Sequence, residues 1–264
     1  MYSFAYHKPS SLDEATSLFE GADDARYIAG GHTLLPSMKL RLAGPSDLID
    51  LGGLGDLKGI TVDGQGVRVG AGTSHNDVAT SADVRAAIPA LAELAGGIGD
   101  FQVRNRGTIG GSLANNDPAA DYPAAVLGLA ATVHTNKRDI AADEFFAGMF
   151  ETALDDGELI TAVSFPKPRR ASYAKFPNPA SRYAIVGVMV AETVDGIRVA
   201  VTGAGPCVFR VAEMEQALAA SFSDQVLASI HVPDDDMNSD IHAGADYRAH
   251  LVTVMAQRAV AAAS

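Results

Sequence analysis

Apolar positions along this chain recur with two periods, and the switches between them mark out its elements. Ser11-Leu12-Asp13-Glu14 has the spacing of a capping box, serine followed three residues later by glutamate, and opens the helical run Ala15-Thr16-Ser17-Leu18-Phe19. Arg26-Tyr27-Ile28-Ala29 then reads as a short strand, Leu34 to Leu42 as a helix with Pro36 near its first turn, and Asp47–Leu51 as another strand. Residues 1–55 thus resemble a small β-α-β unit. From Leu57 the period shortens, and Gly59–Val62 with Val67–Ala71 predicts a hairpin across Asp63-Gly64-Gln65-Gly66. A helix is predicted from Asp83 to about Ala95, with Val84, Ile88, Leu91 and Leu94 on one side. Another is predicted over Ala119–Ala130, with strands near Ala131–Thr135 and Glu158–Phe165. Pro166-Lys167-Pro168-Arg169-Arg170 reads as a linker. Beyond it, Tyr183–Thr193 and Gly196–Thr202 make a hairpin, and Ala212–Ala220 and Ala245–Ala262 are helical patterns.

Two segments interrupt this periodicity: Ala29-Gly30-Gly31-His32-Thr33 and Thr108-Ile109-Gly110-Gly111-Ser112. Each sets two adjacent glycines beside a hydroxyl residue and leads into a helical segment. Glycine lets backbone N–H groups approach an anion without a Cβ in the way, and the hydroxyl adds a donor. One such loop alone reads first as an ordinary strand-to-helix turn. Two of them, about 80 residues apart, suggest two walls of one pyrophosphate site.

The surrounding residues narrow the chemistry. Thr33 is placed to cap the helix that follows it, and His32 has no metal-binding partner at ligand spacing. Asp117 before Pro118 reads as a helix N-cap with proline at the first position. Asp121, one turn further on, is either a ribose hydrogen-bond acceptor or an acid favoured by the helix dipole. Gly70-Ala71-Gly72-Thr73-Ser74 lacks the full nicotinamide-fold glycine pattern, its helix and its downstream acid. No P-loop lysine, nucleophile elbow or zinc signature is present, and no carboxylate pair stands out, so no catalytic residue and no metal ligand is assigned.

Composition limits the partners. At 264 residues and 47% hydrophobic content the chain can build two or three domains with a sizeable core. No segment has the ~18 uninterrupted apolar residues of a membrane span, and the first residues lack a signal-peptide core, so the expected location is cytoplasmic. The one cysteine, Cys207, precludes an internal disulfide and any iron–sulfur cluster held by this chain's thiolates alone. A formal charge of −12 argues against nucleic acid and anionic membrane surfaces. An anionic ligand must therefore be held by local dipoles.

In order and spacing, the two loops resemble those of the FAD-binding medium subunits of molybdenum-containing hydroxylases, the family of carbon monoxide dehydrogenase and of the flavin domain of xanthine dehydrogenase. Ala29 to Lys39 is similar to the family's first phosphate loop and its helix, and Arg104 to Ala114 to the second. Asp117-Pro118-Ala119-Ala120-Asp121, Ser181 to Val186, and Asp240-Ile241-His242 through Tyr247-Arg248-Ala249-His250-Leu251 extend the likeness over nearly the whole chain. The resemblance implies an α+β chain with the FAD-binding PCMH-type fold. Two α/β subdomains, residues 1–56 and 57–166, would precede a C-terminal α+β domain, 167–264, with an antiparallel sheet.

It further implies FAD across the first two domains, its pyrophosphate on Ala29, Gly30, Gly31, His32, Thr33 and Leu34 and on Thr108, Ile109, Gly110, Gly111 and Ser112. Asp121 would hold the ribose side and Tyr183 would approach the flavin ring. Arg26 and Ile98 would line the adenosine and flavin ends. Thr33 stands where the family usually has serine, which keeps the hydroxyl. The implied function is electron transfer. Electrons would come from two 2Fe–2S clusters in a small partner subunit, after hydroxylation at a molybdopterin cofactor in a large one, and pass through FAD to an external acceptor. The expected assembly is a heterotrimer or its dimer. Two rivals are a self-sufficient FAD-dependent oxidoreductase of the same superfamily and a non-catalytic nucleotide-binding or scaffolding protein.

Overall fold

In a computed structural model that describes residues 1–263, the capping box forms as its spacing predicts. Ser11 Oγ accepts the Glu14 N–H at 3.2 Å, and the Glu14 carboxylate turns back to the Ser10 amide and hydroxyl, both at 2.7 Å. Helix α1 (Leu12–Glu20) links β1 (Ala5–His7) to β2 (Ala25–Ile28), and α2 (Leu34–Lys39) links β2 to β3 (Asp47–Asp50). The three strands are parallel in the order β1-β3-β2, which is why helical crossovers join them.

The second sheet is antiparallel, in the order β4-β5-β10-β6-β7. Its strands are β4 (Ile60–Val62), β5 (Gly66–Gly70), β6 (Thr132–Thr135), β7 (Asp139–Ala141) and β10 (Ile160–Pro166). The predicted β4–β5 hairpin is present, closed by Asp63 Oδ1 on the amides of Gln65 and Gly66. Between β5 and β6 run α3 (His75–Thr80), α4 (Ala82–Ala87), α5 (Pro89–Gly96), α6 (Phe101–Arg104), α7 (Ile109–Asn115) and α8 (Tyr122–Gly128). The single helix expected over 83–95 is two. Ile88, before proline, is pushed out of helical conformation (φ −140°, ψ 77°), and Pro89 starts α5. Val84, Ile88, Leu91 and Leu94 nevertheless face one core.

The helix expected over 119–130 is also shorter, and Asp117 does not cap it. Its Oδ1 accepts the Ala119 amide at 2.8 Å in a tight turn instead. The carbonyls of Pro118, Ala119 and Ala120 accept from Gly203 N, Ala184 N and the Thr202 hydroxyl, so tertiary bonds replace the helical ones. A short helix, α9 (Ala142–Phe145), and a two-stranded hairpin of β8 (Phe146–Gly148) and β9 (Glu151–Thr152) complete this region.

The third sheet has the order β11-β12-β13-β14 and is antiparallel throughout. It comprises β11 (Arg170–Pro177), β12 (Ala184–Thr193), β13 (Gly196–Thr202) and β14 (Phe209–Arg210). The stretch read as a linker therefore ends inside a strand. Arg169 and Arg170 are drawn across to Glu192, opposite Arg170 on β12, at 3.3 and 2.7 Å. Helices α10 (Ala212–Ala220) and α11 (Ala245–Ala262) match their predicted limits and cover one face of the sheet. Met189, Ala191 and Ala200 of the other face join the core around α5 and α8, which makes β12 apolar on both sides. No helix among the described residues is long and apolar enough to cross a membrane.

Arg248 locks α11 onto this sheet. It is 4% exposed, donates from Nη1 to the carbonyls of Ile185 (2.7 Å) and Gly203 (2.9 Å), and from Nη2 to Asp240 at 2.8 Å. Arg248→Met leaves the two buried carbonyls without this donor and Asp240 without its cation, though Asp240 Oδ1 keeps the His242 and Ala243 amides. The expected cost is about 2–4 kcal/mol, read as a lower urea midpoint of the full chain. An unchanged midpoint would show that the guanidinium does not hold the helix.

Candidate functional site

The carboxyl end of β2 opens into a cleft of about 1500 Å³, walled by all three sheet regions. After Ile28, paired with Asp50 on β3, the chain reverses at Gly31, whose φ of +74° favours glycine. Here no protein acceptor among the described residues takes the N–H groups of Gly30, Gly31, His32 or Thr33. Thr33 does not cap α2. The Gly31 carbonyl already accepts the Leu35 N–H at 3.2 Å, so Thr33 has a helical backbone and its hydroxyl is left free. Ala29, Gly30, Gly31, His32, Thr33 and Leu34 all line the cleft, and Leu34 also packs on the core of Ile28, Met38 and Leu48.

The second segment behaves differently. It is not a loop before a helix but the first turn of α7, capped by Thr108, whose hydroxyl accepts the Gly111 N–H at 3.1 Å. Past Thr108 the amides are engaged too: Ile109 N donates to Thr73 O, Gly110 N to Ala71 O and Ser112 N to Thr108 O. Thr108, Gly110, Gly111 and Ser112 line the cleft, but Ile109 is fully buried in the core and does not. A Cβ on Gly110 would lie 2.6 Å from that of Ala71, so this glycine lets α7 press against the end of β5.

The two segments meet backbone to backbone. A Cβ on Gly30 would collide with the Arg106 carbonyl oxygen and lie 2.9 Å from the Gly107 Cα. At this seam the first segment, with its unpaired amides, lies against backbone with no intervening side chain.

Asp121 lines the cleft but sits at its buried edge, 4% exposed. It precedes α8 rather than falling one turn inside it. Its Oδ1 accepts the Tyr173 hydroxyl at 2.6 Å and its Oδ2 the Lys175 ammonium at 2.9 Å, both from β11. Burial raises its pKa against the pull of Lys175 and Tyr173. Tyr183 immediately precedes β12 on the same cleft, half exposed, its phenol pKa raised by desolvation and by the nearby carboxylates of Asp117 and Asp121. Ile98 lies on the cleft wall against the core, and Arg26 on an exposed edge, paired with Asp24 at 3.3 Å.

The cleft also gathers residues that the sequence reading passed over. Ala71, Gly72, Ser74 and His75 line it, so the rejected Gly70–Ser74 segment is part of the wall without being a dinucleotide motif. Residues 154–160 form another side, held by Glu158. Its side chain is enclosed and accepts Arg138 Nε (3.1 Å) and Nη2 (3.0 Å), the Thr135 hydroxyl (2.7 Å) and the Asp155 amide (2.8 Å). Burial works against ionisation, yet these donors outweigh it and hold the carboxyl at about 2. No group of three or more His, Cys, Asp or Glu side chains among the described residues is placed to hold a metal ion.

Unpaired amides, an exposed basic edge at Arg26, and Tyr183 and Ile98 on the walls of the same cleft suit a long ligand with an anionic part. FAD has that chemistry.

Comparisons with known proteins agree. Residues 2–168 match the family described as the FAD binding domain in molybdopterin dehydrogenase. The chain is similar to the carbon monoxide dehydrogenase medium chain of Hydrogenophaga pseudoflava, 36% identical over 98% of this chain and 96% of that one. It is also similar to the nicotine 6-hydroxylase medium subunit of Paenarthrobacter nicotinovorans, 35% identical over 97% and 95%. Among solved structures, reconstituted CO dehydrogenase from Oligotropha carboxidovorans superposes with a TM-score of 0.90 at 33% identity, over 98% of this chain and 96% of that one. The expected fold class, α+β of the FAD-binding PCMH type, holds.

The Glu158 clamp carries a pH signature. Its folded pKa of about 2 lies below the ordinary 4.5, so its stabilisation is complete above about 4.5 and is lost as pH falls towards 2. Glu158→Gln is expected to remove that part of the acid-dependent loss, at most about 3 kcal/mol, in urea titrations from pH 6 to 2.5. Parallel curves for variant and wild type would exclude Glu158 as a source of the slope.

Proposed function

The chain belongs to the family of FAD-binding domains found in molybdopterin dehydrogenases, and we propose that it carries electrons within a molybdenum-containing hydroxylase. It is an FAD-binding medium subunit of that family, and so a flavoprotein component of an oxidoreductase. The proposed route runs from 2Fe–2S clusters in a small partner subunit, through the flavin held here, to an external acceptor, with substrate hydroxylated at molybdopterin in a large subunit. The names of the relatives, medium chain and medium subunit, support an assembly of this kind, a heterotrimer or its dimer. One cysteine in the whole chain supports placing the clusters elsewhere. Residues 1–56, 57–166 and 167–264 are proposed as the three domains.

The observation that carries the reading is the row of four unpaired amides at Gly30, Gly31, His32 and Thr33. In our reading they bind the diphosphate, with the free Thr33 hydroxyl beside them, while Leu34 and Ala29 shape the turn. Thr108, Gly110, Gly111 and Ser112 supply the facing wall, and Ile109 anchors that wall from the core. Asp121, fixed by Tyr173 and Lys175, is oriented for the ribose side, Tyr183 and Ile98 for the flavin end, and Arg26 for the adenosine end. A bound flavin supplies the one- and two-electron exchange that no side chain here provides. The chain's own work is to bind, orient and fix charge at this cleft.

The reading is tested by reconstitution of the purified chain with FAD, which should give a flavin absorption spectrum. The isolated chain should show no turnover of organic donors, and turnover by it alone would favour a self-sufficient oxidoreductase. Gly30→Ala places a methyl against the Arg106 carbonyl and forces the seam apart. FAD affinity should fall by about tenfold or more, roughly 1.4 kcal/mol, with little change in circular dichroism. Gly64→Ala, whose added methyl meets nothing within 4 Å, should bind as wild type. Equal affinities for all three proteins would remove the seam from the site.

A further inference from the structure

His75 stands directly behind the seam. It opens α3, its amide donates to the Gly107 carbonyl at 3.0 Å, and the preceding Ser74 bridges to Thr108. The residue is 5% exposed and lines the cleft. Neither ring nitrogen has a hydrogen-bond partner among the described residues, and Nδ1 is wholly enclosed. Nε2 lies against Gly107, where a Cβ would be 2.5 Å away, and Gly107 is the residue that Gly30 touches from the other side.

A buried polar atom without a partner costs about 1–3 kcal/mol, so packing alone does not account for a histidine here. The nearest ring is Tyr122, at 5.3 Å and 51°, and its buried hydroxyl is likewise without a hydrogen-bond partner. Burial, with the charges of His32 and Arg104, pushes the imidazole pKa down to about 4. The ring is therefore neutral near pH 7, with one N–H and one bare nitrogen. An enclosed orphan donor is less tolerated than an enclosed orphan acceptor, which puts the proton on Nε2 and leaves Nδ1 bare.

We propose that His75, as the neutral Nε2–H tautomer, donates a hydrogen bond to a phosphate oxygen of the bound dinucleotide at the seam between the two glycine segments. The inference rests on the reading of the cleft as an FAD site. It also gives Gly107 a reason: any side chain there would displace the imidazole. The donor is uncharged, in keeping with a chain that holds anions by dipoles.

The test uses the full chain, stripped of nucleotide, with FAD and ADP as probes in calorimetric titrations. His75→Leu is expected to weaken both by the same factor, about tenfold, because the contact lies in the half they share. His75→Gln, which keeps an N–H donor, should recover most of the loss. Equal binding by His75→Leu and wild type, or a loss for FAD alone, would overturn the proposal. In wild type labelled with nitrogen-15, the His75 ring should show the Nε2–H form and shift on adding ADP. The Nδ1–H form, or no shift with ADP, would overturn it even if the leucine variant does not fold. Wild type that binds neither FAD nor ADP would bring down the parent reading and this inference together.

Discussion

The contact on which the rest of the structure depends is the approach of Gly30 to the backbone of Arg106 and Gly107, closer than any Cβ permits. It joins two unrelated pieces of architecture, the parallel β-α-β unit and the helical insertion of the antiparallel sheet, with no side chain between them. The parallel unit delivers its first segment at the carboxyl end of β2, where open parallel sheets leave a crevice. The insertion delivers α7, whose first-turn amides are already bonded to Ala71, Thr73 and Thr108. One side of the seam thus supplies free donors and the other supplies rigidity. The glycines cost conformational entropy on folding, and they are kept because the approach cannot be made without them.

A second constraint ties the cleft to the third sheet. Asp121 spends one oxygen on Tyr173 and the other on Lys175, while the carbonyls before it accept from Thr202, Gly203 and Ala184. A buried carboxylate survives only with such compensation, and the compensating groups all lie beyond residue 170. The position and charge of Asp121 are therefore set by the same sheet that brings Tyr183, just before β12, to the cleft.

Much of this was legible in the sequence where the cause is local. The capping box, the β4–β5 hairpin and the limits of α10 and α11 follow from spacing alone. Pro89 sits in plain view, yet the unbroken apolar stripe from Val84 to Leu94 masks the break, because both short helices turn the same face to the core. The helix start at 117–121 fails for a reason no local pattern contains: its carbonyls are claimed from the third sheet, far along the chain, by Ala184, Thr202 and Gly203. β11 is hidden by its basic start, since the cross-strand partner Glu192 is visible only once β12 is paired with it. The glycine segments announce an anion site, but which amides are free and which are spent is a tertiary fact. His75 has no sequence signal at all; only its burial and its unpartnered nitrogens distinguish it.

Net charge makes the division of labour at the seam intelligible. A chain of formal charge −12 cannot attract a diphosphate through its overall field, and surface cations would be screened within about 10 Å at 0.1 M salt. Donors fixed in a partly enclosed cleft are not screened in this way, and they lose nothing to the reorganisation a flexible lysine would need. Neutral donors carry a further advantage: they add no net charge that would capture any small anion, so selection falls to shape and to the row of backbone amides. The orphan nitrogens, the free amides and the glycine contact are one arrangement. The free amides and the His75 Nε2–H lack an acceptor, and in our reading a diphosphate seated at the seam supplies it.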